Sequence, residues 1–424
     1  MSAVAAAPAW QGGWAQGLSY GSLGLPLAFV ALPLYVVLPN HYASEFGIPL
    51  ATLGLLLLGA RLFDAVADPL IGRWVDGLFT RRASRLLVVA AVAAAVLALG
   101  FRGLFFPPAQ AGAHLLVWCA ALLGVTYLSY SVLTVLHQAW GARLGGDEGQ
   151  RARIVSWREG LALVGVLVAS VLPSLAGLSV ASAVFALALL IGVVLLWRAP
   201  RARIGEPAAS PPSLTAPLAT PPFRRLLAIY LVNGVASAVP ATLVLFFIRD
   251  RLQAQAWEPL FLASYFAAGA LSMPLWVHGV ARWGLARTWL LGMGLAIATF
   301  AWAALLDEGD VAAYVAVCVG SGLALGADLT LPGALLAGVI QRAGHGQRLE
   351  GAYFGWWNFA TKLNLALAAG LALPLLGALG YAPGSRSPAA LTALTLAYGL
   401  LPCALKLIAA TLLWTLWVRK EVRS

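Results

Sequence analysis

The chain has 424 residues, 61% of them hydrophobic and 10% charged, with a formal net charge of +11. Soluble domains carry roughly 25% charged residues, so this composition excludes a water-soluble globular protein. The basic residues sit in short connections between apolar stretches, a pattern of membrane topology that excludes nucleic acid as the partner.

A spanning helix needs about 20 mainly apolar residues. Twelve stretches qualify, at 14–39, 47–75, 84–106, 111–142, 153–177, 178–198, 224–249, 257–281, 285–306, 311–341, 348–378 and 389–418. The leading Met1-Ser-Ala-Val-Ala-Ala-Ala-Pro8 has no basic run, so no cleavable signal peptide is expected. With the N-terminus inside, the cytoplasmic connections hold Arg81, Arg82, Arg143, Arg151, Arg201, Arg225, Arg282, Arg342 and Lys420 among others, against Arg102, Arg249, Arg251 and Arg386 opposite. This bias places both termini in the cytoplasm.

The second span carries Arg61-Leu-Phe-Asp64-Ala-Val-Ala-Asp68-Pro69. As a helix, it stacks Asp64 and Asp68 on one face, with Arg61 one turn earlier. One arginine cannot neutralise two carboxylates, and charge inside a membrane marks an ion or proton pathway. The fourth span holds His137, which reads either as a packing histidine or as a functional one. The fifth opens on Ser156-Trp-Arg158-Glu159-Gly160. A proline- and arginine-rich cytoplasmic linker, 199–223, then divides a six-span bundle at 1–198 from another at 224–424, as suits two bodies that move against each other. Asp68-Pro69-Leu70 is echoed by Met273-Pro274-Leu275 near the end of the eighth span, without the carboxylates. Two such repeats place a solute site at mid-membrane.

In the tenth span Asp328 precedes Pro332 by four residues, where it can bond opened backbone or serve a ligand. In the eleventh, Trp356 and Trp357 beside Asn358 resemble the wall of a small-ligand site, and Lys362 sits mid-span. Lys406, in the twelfth, is expected to snorkel as a structural residue outside any cavity. Arg61, Arg158, Lys362 and Lys406 balance Asp64, Asp68, Glu159 and Asp328, which suggests pairing across helices. Cys119, Cys318 and Cys403 fall within spans without metal spacing and read as small buried hydrophobes. No Walker A loop, GxSxG, HExxH or CxxC appears, so no enzyme is expected.

Several stretches together resemble the glycoside–pentoside–hexuronide:cation symporters, the melibiose-permease branch of the major facilitator superfamily. These are Tyr20-Gly, Asp64-Ala-Val-Ala-Asp68-Pro69-Leu-Ile-Gly72, Arg151-Ala-Arg-Ile-Val-Ser-Trp-Arg158, and Arg348-Leu-Glu-Gly-Ala-Tyr353 with Lys362. Gly72-Arg-Trp-Val-Asp76 before Arg81-Arg82 is similar to the superfamily's loop motif. The resemblance spans nearly the whole chain and implies an all-α fold of twelve transmembrane helices in two six-helix bundles. It implies a cation site at Asp64, Asp68 and the hydroxyl of Ser131. Ala67 stands where melibiose carriers have an asparagine, which removes one hard oxygen and favours a proton over sodium. Asp64 and Asp68 would be metal ligands only in a sodium-coupled cycle. The resemblance implies Thr134, His137, Gln138, Arg158, Asn358 and Lys362 as solute residues, and the reading of their own spans adds Asp328 and Trp357. Leu27 and Ala28 replace a Lys-Asp pair, so a galactoside is not expected; an anionic sugar or small organic acid meeting Arg158 is.

The expected function is cation-coupled symport of a small polar solute by alternating access. The protein would act as a monomer in a bacterial inner membrane, with lipid around it and no cofactor beyond the coupling cation. Two other readings stay open on sequence alone. One is a lipid or lysolipid carrier on the same fold; the other is a non-transporting membrane receptor or assembly factor.

Overall fold

The computed structural model describes residues 10, 12–80, 83–108, 112, 114–205 and 213–419. Arg81, Arg82, Lys420, Arg423 and the leading Met1–Pro8 segment lie outside the described residues. The architecture is all-α. Hydrocarbon offers backbone groups no partner, so each spanning segment closes its own hydrogen bonds as a helix.

Ten helical runs follow one another: α1 Trp14–Phe46, α2 Leu50–Phe79, α3 Ala83–Phe105, α4 Leu115–Arg143, the run Glu148–Arg198, α7 Pro221–Arg251, the run Glu258–Ala303, α10 Val311–Arg342, α11 Glu350–Ala378 and α12 Pro388–Val418. Two runs are double-length and each breaks at one glycine. Gly177 (φ 80°) separates α5 (148–176) from α6 (178–198), and Gly284 (φ 77°) separates α8 (258–283) from α9 (285–303). Both positions are left-handed, where a Cβ would be strained, and both let the chain reverse with no further loop. The described residues thus carry twelve helical segments, in keeping with the predicted spans.

The chain divides into two compact units. The first comprises Met1–Ala219 and Ala337–Phe359, the second Thr220–Leu336 and Ala360–Ser424. The first is cored by Phe29, Phe101 and Phe185, with Phe29 stacked on Phe185 at 5.5 Å and Phe101 tilted against it at 4.7 Å. In the second, Phe247 stacks on Tyr398 at 4.2 Å and Phe261 meets Tyr314 edge-on at 4.7 Å. Such pairs add about 0.5–1.5 kcal/mol beyond area burial.

The amphipathicity of α2 is inverted relative to a helix in water. Leu55, Leu58, Leu62, Val66 and Leu70 are exposed, while Asp64, Asp68, Ile71 and Val75 are buried. The buried set recurs at helical spacing, so one stripe carries both acids inward and the leucines face lipid.

Candidate functional site

The acid stripe of α2 meets α4. Ser131 Oγ donates to Asp64 Oδ1 at 2.7 Å, and Asp64, Asp68 and Ser131 are all buried. Arg61 is exposed and lies with its guanidinium 4.0 Å above the Tyr35 ring. Ser131, Thr134 and Gln138 recur at i, i+3 and i+7 and form one stripe along α4. Thr134 Oγ1 and Gln138 Oε1 are buried and make no hydrogen bond among the described residues; Asn358 Nδ2 on α11 is in the same condition. A buried polar group left without a partner costs about 1–3 kcal/mol, so each of the three is expected to meet a water or a ligand.

The remaining first-unit candidates are engaged in several ways. His137 is fully buried, its Nε2 2.8 Å from the Tyr20 carbonyl, and the Tyr20 hydroxyl donates to the His137 carbonyl at 3.0 Å. The two rings lie 4.5 Å apart, so this histidine packs α4 against α1. Arg158 donates through Nε and Nη2 to Glu159 Oε1 at 2.9 and 2.7 Å. That charge pair forms along one helix rather than across helices. Trp357 is buried, and Trp356 Nε1 donates to the Leu214 carbonyl at 3.0 Å.

A second cluster holds the start of α11. Asp76, at the end of the Gly72-Arg-Trp-Val-Asp76 motif, accepts the backbone N–H groups of Gly351 and Ala352, each at 2.8 Å. A helix N-terminus presents such N–H groups with a positive partial charge, which a carboxylate complements. Arg143 Nη2 bridges Asp76 Oδ1 at 3.1 Å and Glu350 Oε2 at 2.9 Å, with no exposed side-chain surface. Its Nη1 donates to the Gln347 carbonyl at 3.0 Å, and its guanidinium lies 4.2 Å from the Phe79 ring. The helices cross closely here, because a Cβ on Gly72 would stand 2.1 Å from the Gly351 carbonyl oxygen. Sequence reading took Arg143 for a loop charge and did not foresee Glu350. Asp76 in its motif was the signal that could have found both.

Asp328 and Lys362 belong to the second unit. Asp328 Oδ1 accepts Asn233 Nδ2 at 3.2 Å and Trp289 Nε1 at 2.9 Å; Oδ2 accepts Ser237 Oγ at 3.1 Å and Lys406 Nζ at 2.6 Å. Lys406 also donates to Asn233 Oδ1 at 2.9 Å and to Ser237 Oγ at 3.1 Å. This corrects the expectation for Lys406. It does not snorkel, since it is 3% exposed and pairs with Asp328 at a cavity wall. A buried carboxylate left alone costs more than stretching a lysine to the membrane surface gains. Charge balance had signalled such a pairing without naming the partners. Asn233 and Ser237, one turn apart on α7, were missed because an amide and a hydroxyl carry no charge signal.

Among the described residues no group of three or more His, Cys, Asp or Glu side chains is placed to hold a metal ion. A family model described as MFS/sugar transport protein matches residues 19–420. The chain is similar to the "Glucuronide carrier protein homolog" of Escherichia coli, 24% identical over 94% of this chain and 91% of that protein. It is also similar to the "Putative sulfoquinovose importer" of the same organism, 25% identical over 95% and 90%. Among solved structures, a bacterial homologue of the iron transporter ferroportin in an outward-facing state superposes with a TM-score of 0.70 at 15% identity, over 94% of this chain and 99% of that one. The E. coli fucose:proton symporter superposes with 0.66 at 14% identity, over 94% and 98%.

Proposed function

Since the chain belongs to the MFS/sugar transport protein family, and is therefore a multi-pass membrane transporter and not an enzyme, we propose that it is a cation-coupled symporter of a small anionic sugar, working by alternating access. Asp64 and Asp68 take the coupling ion, and the Ser131 hydroxyl orients the Asp64 carboxylate. Thr134, Gln138, Arg158, Trp357 and Asn358 serve the solute.

The observation that carries this reading is the set of three orphaned buried polar groups, two of them on the α4 stripe that also holds Ser131. Sugar hydroxyls both donate and accept, so a polar guest can satisfy an amide oxygen, an amide N–H and a hydroxyl together. The names of the two E. coli relatives, a glucuronide carrier homolog and a putative sulfoquinovose importer, support an anionic guest. For such a guest Arg158 offers a planar fork, taken in competition with Glu159. A proton is favoured as the coupling ion, because Ala67 contributes no side-chain oxygen between the two aspartates. The cytoplasmic termini and a bacterial inner membrane remain part of the proposal and rest on the distribution of arginine.

The test is uptake of labelled glucuronate and sulfoquinovose into proteoliposomes of the full chain in sodium-free buffer. At least one should accumulate uphill under an inwardly directed proton gradient, and a protonophore should abolish the accumulation. Failure of both sugars to accumulate under either a proton or a sodium gradient would overturn the proposal.

A further inference from the structure

The second unit forms a half-open cavity of about 170 Å³ among α7, α8, α9, α10 and α12. Most of its wall is apolar, and five of its rings are Tyr265, Phe266, Phe300, Tyr314 and Tyr398. Its one charged end is made by Asp328 and Lys406 with Ser237 beside them.

That end is closed to a charged guest. The three protons of the Lys406 ammonium are met by Asn233 Oδ1, Ser237 Oγ and Asp328 Oδ2. The Asp328 carboxylate already accepts four hydrogen bonds, from Asn233, Trp289, Ser237 and Lys406. A carboxylate has about four acceptor sites and an ammonium has three donors, so the pair is saturated and carries no net charge. An anion or a cation entering the cavity would be desolvated without a counter-charge. The Tyr314 and Tyr398 hydroxyls are likewise engaged with each other, at 2.6 Å. The Tyr265 hydroxyl differs. Its residue lines the cavity beside Phe266, with the two ring centroids 5.1 Å apart, and it is the hydroxyl offered to a guest.

The geometry points to a second binding site, lined by residues of the second unit alone, for a small uncharged ring compound bearing one hydrogen-bonding group that Tyr265 engages. The size fits a single ring, since an apolar cavity of about 150 Å³ holds benzene. The flat aromatic walls suit a ring face, and one anchored hydroxyl fixes its orientation.

Phenol titrated by calorimetry into the purified full chain in nanodiscs, against empty nanodiscs, tests this. Phenol should bind saturably at one site per chain, and benzoate and benzylamine should bind roughly tenfold more weakly or worse, because their charge is desolvated without a partner. Ala241 lines the cavity and is exposed, so Ala241→Phe adds bulk to the cavity without overpacking a core; it should reduce phenol affinity roughly tenfold or more. Tyr265→Phe keeps the ring and removes the hydroxyl; it should weaken phenol roughly threefold or more. Thermal melts of both variants check that they remain folded. Non-saturable phenol uptake matching empty nanodiscs, equal affinity for the charged analogues, or unchanged phenol binding in folded Ala241→Phe would each overturn the site.

Discussion

Ser131 and Lys406 show how much one polar contact decides inside a membrane. Ser131→Ala removes the 2.7 Å bond to Asp64. A hydrogen bond to a charged group contributes about 1.5–3 kcal/mol, so apparent affinity for the coupling ion should change by roughly tenfold or more. Uptake measured against external pH would show it, and an unaltered pH profile would remove Ser131 from the ion site. Lys406→Ala strands a buried carboxylate bonded by Asn233, Ser237 and Trp289, and should destabilise the protein by about 3–5 kcal/mol. Asp328→Leu combined with Lys406→Met should recover most of that loss, because apolar replacement of a whole pair is often neutral. Thermal unfolding of both variants distinguishes these outcomes. The two aspartates of α2 were legible in the sequence, because charges four residues apart in an apolar run have no cheap alternative. Lys406 was misread because a lysine near a chain end is ordinarily free to reach the surface, and only its neighbours in space forbid it.

Among the elements, the α2–α11 crossing is held by a carboxylate at a helix start and by glycines that let two backbones meet. Asp76→Ala deletes the acceptor for the Gly351 and Ala352 amides and one anchor of Arg143. Hydrogen exchange at the first turn of α11 should accelerate by roughly tenfold or more, as expected for loss of a cap and its favourable charge. Unchanged exchange there would mean that Glu350 and Arg143 hold the turn alone. The preceding loop adds a pH dependence. His345 Nδ1 lies 2.8 Å from the Tyr353 hydroxyl, and partial burial, with the positive charge of Arg348, holds its pKa below the usual 6.5. The folded loop therefore favours neutral histidine, and the unfolded loop binds more protons in the window below 6.5. The stabilisation is present above that value and is lost as pH falls. Exchange across 345–353, corrected for intrinsic rates, should rise between about pH 7.5 and about pH 5.5, and His345→Gln should abolish that rise. Most helices were legible from apolar run length; α2, with its charged residues, falls outside the nine described helices that length and composition alone mark as spans. The breaks at Gly177 and Gly284 needed backbone angles to place, since a glycine inside an apolar run reads equally well as a packing residue.

At the scale of the whole molecule, the match over residues 19–420 makes the chain a member of a transporter family, while the proposed anionic sugar draws on the chemistry of Arg158 and on the names of two relatives. The family resemblance and the arginine distribution were visible in sequence because both are periodic or local. The partition of 337–359 with the first unit was not, because it depends on contacts between residues some 200 to 280 positions apart, such as Asp76 with Gly351 and Arg143 with Gln347. The proposed symport requires Asp64 and Asp68 to couple solute movement to an ion. It is tested most directly by comparing uphill accumulation of glucuronate with glucuronate counterflow in proteoliposomes of wild type, Asp64→Asn and Asp68→Asn. Counterflow needs a binding site that alternates, whereas accumulation also needs the ion. Wild type should do both, and each variant should retain counterflow while losing accumulation. Full accumulation by both variants under a proton gradient would contradict it.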